Sequence, residues 1–239
     1  MPAYAADRPL DQAADVGPGG LTAARYHPAM PDRPLPAHLD AGYRSFRSGR
    51  YALERERYRE LAAGPQHPPT MVVACSDSRS APEAIFDARP GELFVVRNVA
   101  ALVPVYSPDD RAHAASAALE YAVLALGVGS IVVLGHGRCG GIAAAIDERA
   151  PLSATDFIGT WVASIRDLAA DVEASEAATL HTAVERRSVE QSLANLATFP
   201  WIRSRVADGR IELIGAWFDI ALGELHALGA GGWGPIAEA

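Results

Sequence analysis

Residues 127–141 read GVGSIVVLGHGRCGG, and within them Ile131-Val132-Val133-Leu134 is an apolar run with no polar break. A half-exposed strand alternates apolar and polar residues, whereas a short unbroken β-branched run bounded by glycines marks a strand buried on both faces, as in parallel sheets. Working outward, Met71-Val72-Val73-Ala74 is a second such run, ending at Cys75. Leu93-Phe94-Val95-Val96 is a third, entered through the turn Arg89-Pro90-Gly91-Glu92. The Ala-rich stretch Ala112–Leu126 reads as a core helix, and residues 160–198 are helical in period. Ile211–Phe218 reads as a fourth strand, followed by a turn at Gly223 and an antiparallel edge strand at Glu224–Leu228. Helices interleaved with buried strands predict an α/β fold: a mainly parallel β-sheet flanked by helices, with an antiparallel edge strand. Such sheets place their sites at the carboxyl ends of the strands, where Cys75 and His136 fall.

The first 36 residues contain seven prolines, so residues 1–38 are read as an extended N-terminal arm. From Leu39 to Leu61 the residues Leu39, Tyr43, Phe46, Leu53, Tyr58 and Leu61 recur near helical spacing, which predicts one or two amphipathic helices broken near Gly49. This completes a helical N-terminal arm, and residues 39–239 are read as one domain without internal repeats.

Composition narrows the function. The 239 residues carry a net charge of -8, and all 21 basic residues are Arg. An acidic chain without a basic patch argues against nucleic acid as partner. The absence of Lys removes any lysine base or Schiff-base chemistry. No uncharged stretch approaches the roughly 20 residues of a membrane span, and Met1–Val16 lacks the apolar run of a secretory leader. The expectation is a soluble, cytoplasmic protein in which two cysteines serve metal binding or catalysis rather than a disulfide.

Two motifs carry the chemistry. Cys75-Ser76-Asp77-Ser78-Arg79 leaves a strand with a thiol, a carboxylate and a guanidinium at alternate positions, which share a face while the chain stays extended. Gly135-His136-Gly137-Arg138-Cys139-Gly140-Gly141 leaves another with His and Cys three apart. Two thiolates and an imidazole make a three-ligand zinc set with a fourth position open, the pattern of a catalytic site; Asp77 is the candidate to occupy or guard that position. Cys75 taken singly, at the end of a buried strand, also fits a small core residue. Gly135, Gly137 and Gly140 spell G-x-G-x-x-G, so a dinucleotide or phosphate site competes, although no acidic residue follows at the end of a next strand about 20 positions on. A cysteine phosphatase loop does not fit, because residues 76–78 offer no glycine-rich cradle.

CSDSR followed by HGRCGG resembles the signature C-x-D-x-R and H-x-x-C of the β-class carbonic anhydrases, plant-like subgroup. The likeness extends through PGELFVVRNVAALVP, ALEYAVLALGVGSIVVLGHGRCGG and GAWFDIALGEL, over about Leu39–Leu228. The resemblance implies Zn²⁺ held by Cys75, His136 and Cys139, with Asp77 and Arg79 as catalytic dyad and Asp77 joining the metal in a closed form. It implies that Gln66 contacts substrate, that Phe94, Val99 and Tyr121 line a narrow apolar pocket built partly by a neighbouring subunit, and that Gly140 follows the second cysteine. The implied reaction is hydration of carbon dioxide to bicarbonate by zinc-bound hydroxide; relatives alike at the ligands hydrolyse carbonyl sulfide or carbon disulfide. The implied assembly is a homodimer or dimer of dimers. Two departures stand out. Val72 occupies the position of the Trp found with an inhibitory bicarbonate site, so no such site is expected. Arg138 places a cation between two ligands where a small or polar residue is usual.

Overall fold

The computed structural model describes residues 35–109, 112–147, 150–172 and 177–237. The chain divides into two compact units, Met1–Pro65 and Gln66–Ala239. In the first, α1 (Ala37–Ser48), α2 (Arg50–Leu53) and α3 (Arg55–Ala62) follow one another, with the predicted break at Gly49. Helix α1 begins inside the stretch read as extended arm; the rest of that arm, residues 1–34, lies outside the described residues. None of the three helices buries a residue, although Phe46, Tyr51 and Tyr58 form a ring cluster with centroids 5.2–6.1 Å apart.

The second unit is built on a six-stranded sheet of order β2-β1-β3-β4-β5-β6. Strands β1 (Thr70–Cys75), β2 (Leu93–Asn98), β3 (Ser130–His136) and β4 (Glu212–Asp219) are parallel, while β5 (Glu224–Gly229) and β6 (Gly232–Pro235) are antiparallel. The antiparallel edge strand expected at Glu224–Leu228 is therefore not the edge. Strand β6 lies outside it, hidden from pattern reading because Gly-Trp-Gly-Pro has neither alternation nor β-branched residues.

Period-two geometry sorts the buried runs into two cores. Met71, Val73, Ile131 and Val133 face Leu119, Leu196, Phe199 and Ile202, whereas Val72, Ala74, Val132 and Leu134 face Ile85, Phe86 and Phe218. Both faces are covered, which is why the strands read as continuous apolar runs. The expected helix at Ala112–Leu126 begins at Ala114; α5 (Ala114–Glu120) widens into a π-helical turn at Tyr121–Leu126, and Gly127 ends it at φ +69°, a left-handed stop open to glycine. The crossover after β3 runs through α6 (Gly140–Ile146), α7 (Phe157–Trp161), α8 (Ala163–Ala170), α9 (Ala177–Leu196) and α10 (Pro200–Ala207). The stretch read as helical from 160 to 198 is thus interrupted.

The order β2-β1-β3 makes the chain step off β1 in one direction and return on its other side. The resulting switch point between β1 and β3 opens a crevice at their carboxyl ends, where Cys75 and His136 stand last in their strands. Helix α9 closes on β3 there. A Cβ at Gly135 would sit 2.6 Å from Val189 Cγ2 and 3.5 Å from the Trp217 ring, so glycine sets that approach. Gly135→Ala is expected to destabilise the fold by about 1–3 kcal/mol through overpacking. Urea denaturation checks this, and an unchanged midpoint would contradict it.

Candidate metal centre

Strand β1 ends at Cys75, and the chain turns at once, with Ser80 N–H donating to Asp77 O at 3.2 Å. Cys75, Asp77 and Arg79 therefore converge through a turn, not through the alternation of an extended strand. Arg79 grips Asp77 with both ends of its fork: Nε donates to Oδ1 at 2.9 Å and Nη2 to Oδ2 at 2.7 Å, while the Arg79 backbone N–H adds a third bond to Oδ1 at 2.9 Å. This pairing holds the Asp77 carboxyl down to about 2, so it is an anion throughout the neutral range.

The thiols of Cys75 and Cys139 and the His136 ring meet across the crevice, with one ligand atom from each within 4.8 Å of the others and all three residues buried. The sulfur atoms are 3.9 Å apart. Sharing a proton with Cys139 holds Cys75 down to about 4, and the same contact together with burial pushes Cys139 up. Two buried thiols competing for one negative charge suit a cation that takes both as thiolates. His136 supplies the decisive observation. Its Nδ1 lies 2.9 Å from the Gly137 carbonyl, which fixes the proton on that nitrogen, and its Nε2 is buried with no hydrogen-bond partner among the described residues. A buried lone pair between two sulfurs is the donor set of tetrahedral zinc with one position left over. Asp77 Oδ2 stands 4.0 Å from His136 Nε2, at the rim of this set and engaged by Arg79.

Several residues missed by the sequence reading shape the centre. Arg97 donates to the Cys75 carbonyl at 2.8 Å and to the Asp77 carbonyl at 2.6 Å, stapling the turn to β2. A charge closing the apolar run Leu93–Val96 was the available signal. Ala100 and Ala101 both have positive φ, +67° and +56°, an uncommon state for residues with a Cβ. Asn98 clamps this turn through Leu102, and the turn aims the Ala100 N–H at Cys75 Sγ, 3.3 Å away. Glu185 of α9, 2% exposed, accepts from Cys139 N–H at 3.0 Å and from the Trp217 indole at 3.2 Å. Burial raises its carboxyl pKa, against the pull of those donors.

The remaining candidates are dispersed around this cluster. Phe94 and Tyr121 stack at 5.9 Å between centroids, and Tyr121 remains half exposed. Val99 presses on Gly141, where a Cβ would fall 2.5 Å from Val99 Cγ1, and its carbonyl accepts from Trp161. Gly140 opens α6 with nothing within 4 Å of a Cβ position. Gln66 is exposed ahead of β1 and makes no hydrogen bond to the cluster among the described residues. Gly135 and Gly137 are spaced for packing, since a Cβ at Gly137 would meet the Trp217 ring at 3.1 Å; this contact accounts for two glycines of the G-x-G-x-x-G segment. Arg138, at φ +58°, is exposed, and its carbonyl accepts from Arg79 Nη2 at 3.2 Å.

Fold and site together define a metal-binding α/β domain with its donor group at the switch point of the sheet. A family model described as Carbonic anhydrase matches residues 70–225. The carbonic anhydrase of Pseudomonas aeruginosa is 39% identical over 191 residues, covering 78% of this chain and 84% of that protein. Among solved structures, the β-carbonic anhydrase CcaA is similar at a TM-score of 0.75 and 30% identity, covering 84% of this chain and 91% of that one. A tetrameric β-carbonic anhydrase of Sordaria macrospora matches at 0.69 and 26%, covering 84% and 98%. The chain belongs to the carbonic anhydrase family, in its β class. Enzymes of this class use zinc, and Cys75, His136 and Cys139 form a group able to bind it.

Proposed function

We propose that this protein hydrates carbon dioxide reversibly to bicarbonate and a proton, with Cys75, His136 and Cys139 holding zinc. The observation that carries the reading is the buried, partnerless His136 Nε2 set against two thiols at the switch point of the sheet. Zinc, when bound, supplies the Lewis acidity that makes water a nucleophile near neutral pH.

The chain's own residues supply orientation. Asp77, anionic and held by three bonds from Arg79, accepts a hydrogen bond from the attacking oxygen and turns its lone pair toward the carbon. Arg79 is the positioning partner that keeps that carboxylate charged and still. Gln66 donates to the substrate oxygen on which charge develops. Phe94, which pairs with Tyr121, and Val99, which packs on Gly141, are assigned to an apolar pocket suited to a nonpolar gas and completed by a second copy of the chain, and Gly140 leaves room beside Cys139. The half-exposed Tyr121 and Leu124 suit burial against a second copy, in a homodimer or dimer of dimers. No described helix is long and apolar enough to cross a membrane, and both cysteines are free, which suits a cytoplasmic setting.

Substrate choice is tested by presenting zinc-loaded protein with carbon dioxide and with carbonyl sulfide in parallel stopped-flow runs. Faster turnover of carbon dioxide is expected, because its hydration is complete on addition of the nucleophile, whereas carbonyl sulfide must afterwards break a carbon–sulfur bond and release sulfide. Faster release of sulfide from carbonyl sulfide would replace this reading with the hydrolase one.

A further inference from the structure

The loop between β3 and α6 is only three residues long, Gly137-Arg138-Cys139, yet it must deliver a thiolate to an ion with small positional error. Its middle residue sits in the left-handed region at φ +58° without being glycine, a state that persists only where its surroundings impose it. The Cys139 N–H is buried and needs an acceptor. That acceptor comes from 46 residues away, as Oε1 of Glu185 at 3.0 Å, with the Arg138 N–H directed at the same carboxylate. The other oxygen, Oε2, takes the Trp217 indole N–H at 3.2 Å. Trp217 is itself fixed, with the Arg186 guanidinium 4.5 Å from its ring centroid and Gly137 packed against its edge. The close approach of α9 at Gly135 is what brings a side chain as short as Glu185 into reach.

We propose that Glu185 is a positioning residue of the metal centre, fixing Cys139 relative to Cys75 and His136 by holding the Cys139 N–H and Trp217 on its two oxygens. Neither the family match nor the motif reading assigns it a role. The proposal rests on the zinc reading above, and it predicts a specific cost: the ligands remain present in a Glu185 variant but no longer stand pre-arranged. Partners that orient a metal ligand in this way typically change affinity by about 10- to 100-fold when removed.

The test uses the full chain. Zinc affinity is measured by competition with a chromophoric chelator for wild type, Glu185→Ala, Glu185→Gln and Ser192→Ala, and the thiolate-to-cobalt absorption is recorded for the cobalt-substituted proteins. Ser192 is a matched control, a buried hydroxyl that accepts from Val103 N–H at 3.2 Å away from the metal ligands. Glu185→Ala should bind zinc about 10- to 100-fold more weakly with an altered cobalt spectrum. Glu185→Gln keeps the volume and one acceptor oxygen, so it should recover part of the affinity and stands in if Glu185→Ala does not fold. Ser192→Ala should lower the melting temperature without changing either metal readout. The proposal is overturned if both Glu185 variants, or the Gln variant alone where only it folds, match wild type in affinity and spectrum. An equal loss in Ser192→Ala would also overturn it. Wild type that binds no zinc would instead sink the metal reading on which the proposal stands.

Discussion

Replacing Cys139 by serine is expected to strip the protein of zinc and bring carbon dioxide hydration down to the buffer rate. Serine has nearly the shape of cysteine, and the contact that anchors the loop runs through the backbone N–H of residue 139 to Glu185, so the fold should survive. The loss is chemical: a neutral hydroxyl replaces a thiolate, and the site keeps one sulfur and one imidazole where three donors stood. Removing a direct ligand should cost more than the about 100-fold typical of residues that only orient one. The rise in melting temperature on adding zinc, large for wild type, should vanish in the variant because binding free energy adds to folding free energy. Metal analysis and calorimetry check this, and a full zinc complement in Cys139→Ser would contradict the ligand assignment.

Asp77→Asn should separate catalysis from metal binding. Asp77 stands outside the three-residue ligand group, so zinc affinity should stay within about threefold of wild type. Activity should fall by about 10²–10⁴-fold. The amide can still accept from the Arg79 backbone N–H and Nε through one oxygen, but its NH₂ then meets Nη2 donor to donor, where 2.7 Å now separates an ion pair. The sign of the pH dependence follows from the same geometry. The folded-state carboxyl is depressed to about 2, below its ordinary value of 3.8, so the stabilisation from the pair is complete above about pH 4 and is lost as pH falls toward 2. No proton leaves Asp77 between pH 6 and 9. An inflection in the hydration rate within that window therefore belongs to another group, and loss of the neighbouring negative charge in Asp77→Asn should move it to lower pH while the amplitude drops. Activity within about threefold of wild type would remove Asp77 from the mechanism.

The site was legible where its members are close in sequence. Cys75, Asp77 and Arg79 lie within five residues at one strand end, and His136 and Cys139 within four at another, so closeness in sequence marks each group, although a turn and not strand alternation gathers the first. Joining the two groups needed the order β2-β1-β3, which the three buried runs imply but do not state. Glu185, Arg97 and Trp217 were invisible for the opposite reason: each acts across 20 or more residues, and a glutamate inside a helical stretch reads as a solvated charge until packing shows it 2% exposed. Gly135 and Gly137 suggested a phosphate loop because spacing cannot distinguish a glycine that admits a ligand from one that admits a helix or an indole ring. Strands β1 and β3 were found because burial on both faces leaves no polar residue to blur them; β2 read the same way although, at the edge of the sheet, it is only partly buried, and β6 was missed because its pairing is set by β5 rather than by its own composition.

Zinc-dependent turnover is read by stopped-flow carbon dioxide hydration with a pH indicator at about pH 8.5, where deprotonated water is the favoured nucleophile, on zinc-loaded, chelated and zinc-restored protein. Fast turnover that disappears on chelation and returns with zinc is the result predicted here. Zinc-loaded protein no faster than buffer, or hydration that survives complete removal of the metal, would contradict it.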